Sequence, residues 1–418
     1  MNAPHLQVSS EGGRIEIAGR LNLTSFRRLL ATIHQTVADQ GFGEVTLDFS
    51  DTTRAYPGPM LAVLASCVRL HDDSDVDFFL VRPNEGKLRR LFSNANWAHI
   101  ASPQRFAPSS WQPASVMPAR WFASPDEQHR IVDRIIDAVL SSPAELTRGS
   151  LAAFEWAVNE ITDNVLQHAG SPQGGLVQLN HYPNVHCLEF AVADAGKGIP
   201  DTIRTTRSGL TDPEALELSV RQGITRDKAV GQGNGLFGTF QASRVGDGDF
   251  TIHSGYASIG ADTRAEAERV PVNGTLVVVR LDYSNPEALW HALDMRGRRG
   301  DPSGDYVELR YEHATEDSLD FVIQREAGSV GSRSAGRSAR LKLEKLISMY
   351  PAHRARVDFA DVPVISSSFA DEFMGKLFVR TGALRFMRTI HIRGASPKVQ
   401  SVLDRAILQR VRQEADDG

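Results

Sequence analysis

The 418-residue sequence lacks the features that mark several large classes of protein. Its only cysteines, Cys67 and Cys187, lie far apart and match no metal-ligand spacing, so we expect two small core residues in a reducing compartment. The net charge of −5 gives no electrostatic reason to expect a nucleic-acid partner. The N-terminus lacks a basic segment followed by an apolar one, and the longest apolar run, residues 60–68, is too short to span a bilayer. We therefore expect a cytoplasmic protein that does not enter a membrane.

The chain has the composition of a globular protein, with 41% hydrophobic and 23% charged residues, and its length allows two to four domains. In the first hundred residues, strand-like alternation and helix-like spacing take turns, which is typical of an α/β layer structure. The predicted strands are residues 13–19, 43–49 and 77–81, and the predicted helices are 26–37, 60–70 and 88–92.

Two segments without periodicity divide the chain into three predicted domains. We predict domains at residues 1–105, 122–284 and 306–418, with linkers at 106–121 and 285–305. The last domain again alternates the two patterns. Its predicted strands are residues 306–311, 319–323, 356–359 and 389–392, and its predicted helices are 339–347, 369–378 and 399–411.

The first candidate site residues of the middle domain lie on a predicted helix, residues 151–168. Glu160, Asn164 and His168 are spaced by four and therefore share one face of that helix. Apolar residues at helical spacing form another face: Phe154, Val158, Ile161 and Val165. A solvated polar face is an equally good interpretation of this helix alone.

A carboxylate follows the next buried-looking strand. Residues 187–193 are mostly apolar, and Asp194 ends the strand just before Gly196 and Gly198. A carboxylate there can accept a hydrogen bond from an amine such as the exocyclic group of adenine, while the glycines let the backbone approach a ligand closely.

A glycine-rich loop then leads into an apolar helix, which is the arrangement of a phosphate cradle. Its residues are Gly231, Gly233, Asn234, Gly235, Leu236 and Gly238. The polar segment before it, residues 226–228, argues against a dinucleotide-binding βαβ unit, since that motif follows a hydrophobic strand.

These three motifs, in this order and spacing, resemble the GHKL ATPase superfamily over residues 122–281, and most closely the anti-sigma serine kinases and histidine kinases. The resemblance implies an α/β sandwich with a mixed sheet and helices on one face. It implies ATP and Mg²⁺ as cofactors, with Asn164 on the Mg²⁺, Glu160 as general base and Asp194 on adenine.

The same resemblance assigns the remaining site residues. Gly196 and Gly198 would shape the adenine pocket, and the hydroxyl of Thr275 would support the adenine-binding carboxylate. The phosphate loop and lid hinge would use Gly231, Gly233, Asn234, Gly235 and Leu236. The lid would be residues 199–230, with basic residues over the triphosphate: Arg204, Arg207, Arg221, Arg226 and Lys228.

The two end domains resemble STAS domains, the fold of anti-sigma-factor antagonists. The first has a strand ending Leu47-Asp48-Phe49-Ser50 before the apolar helix, but Tyr56-Pro57-Gly58-Pro59 stands where phosphorylatable members carry Ser or Thr. The last keeps hydroxyls at that position, in Ser366, Ser367 and Ser368. Ser368 with Asp371 fits a helix N-cap box, and a regulatory phosphosite is the alternative.

Three functions stay open on this reading. The chain is a serine kinase-like or ATP-gated signalling switch, an ATP-hydrolysing conformational clamp, or a non-enzymatic ATP-binding module. The resemblance implies protein partners of the STAS or sigma-regulator type and leaves a homodimer open, whereas nucleic acid is not expected.

Overall fold

The structure is a computed structural model that describes residues 5–111, 116–221, 235–292, 306–313 and 317–417. They form a mixed α/β protein, as predicted, with two compact units. Unit 1 comprises residues 1–135 and 153–298, and unit 2 comprises residues 136–152 and 299–418. The predicted first domain and most of the predicted second domain therefore lie in unit 1, whereas residues 136–152 of the second, which include the end of one helix and the start of the next, belong to unit 2.

The N-terminal part of unit 1 is a predominantly parallel sheet with helices. Its strands are β1 (Gln7–Glu11), β2 (Arg14–Leu21), β3 (Glu44–Asp48), β4 (Thr52–Ala55) and β5 (Asp77–Val81). Its helices are α1 (Phe26–His34), α2 (Pro57–Ser74), α3 (Gly86–Asn94) and α4 (Trp97–Ala101). The strand order is β1-β2-β3-β5, with β4 paired to β2, and only the β1–β2 pair is antiparallel. The short strands β1 and β4 were not predicted.

The second sheet of unit 1 carries the motifs of the middle domain. Its strands are β6 (Val116–Phe122), β7 (Gly175–Tyr182), β8 (Cys187–Asp194), β9 (Asp249–Ile259) and β10 (Ala265–Asp282). Its helices are α5 (Pro125–Leu140), α6 (Arg148–Asn164), α7 (Ile199–Arg204), α8 (Asp212–Ser219), α9 (Gly235–Ser243) and α10 (Pro286–Ala292). The order is β6-β7-β8-β10-β9 and every described pair is antiparallel, so the expectation of a mixed sheet is wrong. Strand β6 also occupies residues that were expected to be linker.

Helix α2 joins the two sheets of unit 1. It contacts β5 and α4 of the N-terminal part, and it also contacts β7, β8 and β10 of the second sheet. Each residue from Gly58 to Cys67 is buried, because neither side of this helix faces water. A helix that is apolar all round is expected to be buried in this way. The N-terminal part therefore covers a face of the second sheet rather than standing apart from it.

A buried arginine adds polar contacts to the same junction. The Arg27 guanidinium, on α1, donates to the carbonyl oxygens of Gly255 and Ala257 at 3.1 and 2.7 Å and to that of Val270. Burial lowers the pKa of Arg27, and the nearby Glu268 carboxylate opposes that effect. The guanidinium thus satisfies three carbonyl groups around β9 and β10.

Unit 2 contains a short parallel sheet of order β11-β12-β13. Its strands are β11 (Ser318–Val322), β12 (Arg354–Asp358) and β13 (Ile390–Arg393). Its helices are α11 (Tyr306–Tyr311), α12 (Ile323–Glu326), α13 (Arg333–Met349), α14 (Ser367–Ala370), α15 (Lys376–Thr381), α16 (Ala383–Thr389) and α17 (Pro397–Asp417), with a π-helical turn at Asp371–Gly375 joining α14 to α15. The prediction of a strand at residues 306–311 is wrong, since α11 occupies them.

Residues 136–152 belong to unit 2 through lysines of α13. The Lys345 ammonium donates to the carbonyl oxygen of Leu140 at 2.9 Å and to that of Ser142, and burial lowers its pKa to about 8. Lys342 lies 3.2 Å from the Asp137 carboxylate. Among the described residues of both units, no helix combines the length and the apolar character needed to cross a membrane.

We predict that Arg27→Met lowers the free energy of unfolding of unit 1 by about 3 kcal/mol, because buried carbonyl groups lose a charged donor. Arg28→Met is the matched control, since Arg28 is the exposed neighbour on the same helix. Denaturant unfolding followed by fluorescence measures both variants. Equal midpoints for the two variants would contradict a structural role for Arg27.

Candidate functional site

Helix α6 places Glu160 and Asn164 on one half-buried face. The helix passes through Asn164 into a π-helical turn, Val165–Ala169. The four residues of its predicted apolar stripe, Phe154, Val158, Ile161 and Val165, are all buried. Four residues rise about 6 Å along a helix, so Glu160 and Asn164 can approach neighbouring groups of one ligand.

The environment of Glu160 favours its protonated form. Burial raises the pKa of this carboxyl, and the charge of Asp163 raises it further. Asp163 itself accepts a hydrogen bond from the Gln167 amide one turn later. A carboxylate with a raised pKa is a stronger proton acceptor, which is the property that a general base needs.

Asp194 ends β8 as a nearly fully buried carboxylate, with 5% of its surface exposed. Its Oδ1 accepts a hydrogen bond from the backbone N–H of Gly196 at 2.9 Å. Burial raises the pKa of Asp194 to about 7, while backbone hydrogen bonds from Gly196 and Thr275 and the charge of Arg69 act in the opposite direction. A buried carboxylate held by backbone donors is pre-positioned to accept a further donor from a ligand.

The raised pKa of Asp194 also affects folding. In the unfolded chain this carboxyl would titrate near its ordinary value of 3.8, whereas in the folded protein it titrates near 7. Between these values the folded state holds a proton that the unfolded state has released, so stability falls as pH rises through that range. Above it both states are ionised, and the loss is complete.

The glycines beside Asp194 are required by close backbone contacts. A Cβ on Gly196 would lie 2.2 Å from the carbonyl oxygen of Ala169, and the Lys197 N–H donates to that same oxygen at 2.6 Å. Gly274 has φ +86°, and a Cβ there would lie 2.3 Å from the Asp194 carbonyl oxygen. The loop after β8 is therefore packed against the π-helical turn that follows α6 and against the middle of β10.

Thr275 lies directly opposite Asp194 in the β8–β10 register. Its backbone N–H, rather than its hydroxyl, supports the carboxylate. The hydroxyl lies 3.2 Å from that of Ser254. The expected role of Thr275 is therefore carried by its backbone.

Ser254, on β9, was not identified from the sequence. Its hydroxyl donates to the Gly274 carbonyl oxygen at 2.8 Å and accepts from the Ile199 N–H at 2.9 Å. A Cβ on Gly198 would lie 2.7 Å from the same hydroxyl oxygen. Ser254 thus ties the Asp194 loop to β9 and β10, and no local sequence signal marks it.

Arg69, on α2, is the second residue that the sequence did not reveal. Its Nη1 donates to the carbonyl oxygen of Ala195 at 2.5 Å, and its charge lowers the pKa of the adjacent Asp194. One turn further along α2, Asp72 accepts from the Gln173 amide at 2.6 Å. The end of α2 therefore contacts the loop before β7 and the loop after β8, which lie at the same end of this strand pair.

The predicted lid begins as two short helices, α7 and α8. Arg204 forms ion pairs inside this segment, one with Asp212 and one with Asp201 at 3.0 Å. Asp212 also accepts from the Tyr256 N–H at 2.6 Å, which ties α8 to β9. Arg207 is exposed, and Arg221 lies 4.0 Å from Glu217. Arg226 and Lys228 lie outside the described residues.

Most of the predicted phosphate loop also lies outside the described residues, including Gly231, Gly233 and Asn234. Gly235 is the first residue of α9, and Leu236 is half-buried beside it. The predicted apolar helix is therefore present as α9, whereas the loop predicted before it lies outside the described residues.

Two of the described side chains, Asp194 and Asn164, have the hydrogen-bonding and metal-binding groups that Mg²⁺–ATP would need. Asp194 offers a buried acceptor of the type that an adenine amine needs. No group of three or more His, Cys, Asp or Glu side chains that could hold a metal occurs in the described part of the chain. Mg²⁺ in phosphate-binding sites typically takes only one or two protein ligands besides the phosphates, so Asn164 fits that pattern.

The candidate phosphosite in unit 2 begins α14. Ser366 is the N-cap, since its hydroxyl accepts from the Phe369 N–H at 3.0 Å. The predicted cap at Ser368 is therefore wrong by two residues, and Asp371 instead pairs with Arg410. Ser367 is exposed, whereas Ser366 and Ser368 are half-buried.

The similarity to known proteins that was found lies in unit 2. No curated protein matches the chain. Residues 339–400 match the family model described as a STAS-like domain of unknown function (DUF4325). This region runs from α13 to the beginning of α17 and includes β12, β13 and the serine-rich start of α14. Residues 339–400 of this chain therefore form a STAS-like domain of the DUF4325 family.

Proposed function

We propose that unit 1 is an ATP-binding module of the GHKL type and that the chain is a Mg²⁺–ATP-dependent signalling switch that works with STAS-type domains. Its partners would be STAS-type or sigma-regulator proteins. The buried carboxylate of Asp194 carries the proposal. It ends a central strand, two backbone N–H groups hold it, and the neighbouring glycines leave no room for side chains.

Each site residue then has one task. Asp194 accepts a hydrogen bond from the adenine amine, and its burial excludes competing water. Asn164 offers its amide oxygen to Mg²⁺, and bound Mg²⁺ supplies neutralisation of phosphate charge. Glu160, one helical turn away, takes the proton from the attacking hydroxyl or water. The two groups share helix α6, so their spacing is fixed by the helix rather than by a loop.

The kinase form of this proposal is supported by the start of α14. Ser367 is exposed, and it follows directly on the capping Ser366. A phosphate on Ser367 would sit at a helix N-terminus, where negative charge is favoured. In the kinase form, Glu160 deprotonates a seryl hydroxyl on this chain or on a STAS-type partner.

The clamp form is supported by a different contact. Arg69, on α2 in the N-terminal part of unit 1, donates to the Ala195 carbonyl oxygen, so a movement of the Asp194 loop would change a hydrogen bond of α2. Nucleotide binding would then shift the packing of α2, and slow hydrolysis would reset it. A non-enzymatic ATP-binding module is the remaining alternative.

We predict that Glu160→Gln lowers the rate of phosphate release or transfer by at least about 100-fold, because the general base is lost. The affinity for Mg²⁺–ATP should stay within a few fold of wild type. Glu145→Gln is the control, since Glu145 is an exposed acidic residue outside the site. Turnover assays and calorimetry measure the two properties, and unchanged turnover in Glu160→Gln would remove Glu160 from the mechanism.

We predict that ATP affinity increases by about tenfold between pH 6 and pH 8, because the Asp194 carboxyl, with its pKa raised to about 7, must be ionised to accept fully. Asp194→Asn should bind more weakly and lose this part of the pH dependence. The titration of ATP itself is common to both proteins and cancels in the comparison. Parallel pH profiles for the two proteins would contradict adenine recognition by Asp194.

We predict that incubation with γ-labelled ATP and Mg²⁺ places phosphate on Ser367, detected by mass spectrometry. Ser367→Ala should remove the label, whereas Ser401→Ala, an exposed serine of α17, should keep it. Released phosphate without any labelled protein, with or without a STAS-type partner, would reject the kinase form and favour the clamp. Binding without turnover would favour the non-enzymatic module, and absence of Mg²⁺–ATP binding would overturn the whole proposal.

A further inference from the structure

Unit 2 contains a cavity of about 610 Å³ beside the N-terminal half of α13. The lining consists of Arg333, Ser334, Arg337, Arg340, Glu372 and Lys376. Four of these six side chains are basic and one is acidic, so the lining carries a formal excess of three positive charges. The volume lies in the range of small-molecule sites, which is about 300–1,000 Å³.

The basic side chains have too few carboxylates to neutralise them. Glu372 is shared by three cations, with Lys376 at 2.7 Å, Arg340 at 3.4 Å and Arg333 at 4.0 Å. Two other carboxylates lie nearby. The Arg410 guanidinium already contacts both oxygens of Asp371, at 2.6 and 2.8 Å, and Glu344 pairs with Arg340 at 2.9 Å and with Arg380 at 3.4 Å. Positive charge therefore remains available to a ligand.

Two of the guanidinium groups face solvent. Arg333 has 63% of its side chain exposed, and its distances to Asp371 and Glu372 are 3.9 and 4.0 Å, which are long for ion pairs. Arg337 is exposed and forms no ion pair with any described residue. Both can turn toward an anion, and an arginine fork binds a phosphate group through two parallel hydrogen bonds.

The positions of these residues on α13 cost stability unless an anion is present. Arg333 and Arg337 are four residues apart, and like charges at that spacing repel each other. Both lie in the first turns of a 17-residue helix whose first turn has no acidic residue. The positive end of the helix dipole disfavours cations there and favours an anion.

The deepest guanidinium is already held in place. Arg340 has 5% of its side chain exposed, and its Nε donates to the Glu372 carbonyl oxygen at 3.0 Å while its Nη1 donates to Glu344 at 2.9 Å. A Cβ on Gly336 would lie 2.7 Å from the Phe369 carbonyl oxygen, so α13 packs closely on α14 at the base of the cavity. The buried Arg340 is therefore held in place at the floor of the cavity, whereas the exposed side chains of Arg333 and Arg337 at the rim can turn toward a ligand.

We propose that this cavity binds a small phosphate-bearing molecule, with Arg333 and Arg337 gripping the phosphate at the rim and Arg340 and Lys376 setting the positive potential of the floor. The whole chain carries a net charge of −5, so the cavity is a local cationic site rather than part of a basic surface. A nucleic acid would need such a surface along its backbone. The proposal concerns unit 2 alone and does not depend on ATP binding in unit 1.

The test is calorimetry on the full chain with inorganic pyrophosphate as the probe, in EDTA so that a Mg²⁺-dependent site does not contribute. We expect the double variant Arg333→Gln/Arg337→Gln to bind at least about 30-fold more weakly than wild type, since two charge-assisted contacts are lost. The control, Arg385→Gln, changes an exposed arginine of unit 2 outside the cavity and should bind within twofold of wild type.

A conservative variant separates charge from geometry. Arg337→Lys keeps the charge but loses the fork, so its affinity should fall between those of wild type and the double variant. The double variant should unfold at a temperature no lower than that of wild type, because both side chains are exposed and their mutual repulsion is removed. Such a result shows that the loss of binding is not misfolding. Absence of pyrophosphate binding at millimolar concentration, or equal binding by wild type and the double variant, would overturn the proposal.

Discussion

The burial of helix α2 between two sheets is the interaction on which unit 1 depends. Ten consecutive residues, from Gly58 to Cys67, are removed from water, because one side of the helix packs on the first sheet layer and the other on β7, β8 and β10. Each fully buried large aliphatic side chain contributes about 1.5–3 kcal/mol. Separating the N-terminal part from the second sheet would expose one whole apolar side of this helix to water, so we expect the two parts to fold as one body.

The same helix connects packing to chemistry. Its apolar length fixes where its last turns lie, and those turns carry Arg69 to the Ala195 carbonyl oxygen and Asp72 to Gln173. Burial raises the pKa of Asp194, and Arg69 limits that rise. A ligand that changes the charge or position of Asp194 must therefore change the interaction with α2, and the coupling acts equally in both directions. Helix α2, which packs the two sheets together, is therefore also part of the nucleotide site that we propose.

Local patterns in the sequence predicted the parts of the site that depend on local structure. The apolar stripe of α6, the strand ending at Asp194 and the need for glycine at Gly196 all follow from spacing or from single residues. The alternation of apolar and polar residues in 306–311 predicts a strand, but the structure shows a helix there. Six residues are too few to distinguish the strand period of two residues from the helical period of 3.6. Arg69 and Ser254 act across contacts between distant segments, and no pattern along the chain records those.

The two helix starts that resemble the phosphorylated position of STAS domains have different surroundings. In unit 1, Tyr56 precedes α2, Pro57 occupies its first turn, and the helix is buried against a second sheet. In unit 2, the corresponding start leaves Ser367 exposed, and the neighbouring α13 places unneutralised arginines beside a cavity. Because α2 is buried on both sides, a charge added at its start would lose its hydration, so we expect the start of α2 to have a structural role only. An exposed helix start next to excess positive charge can accept a charged group at little cost, so it is in unit 2 that an anionic signal can be received.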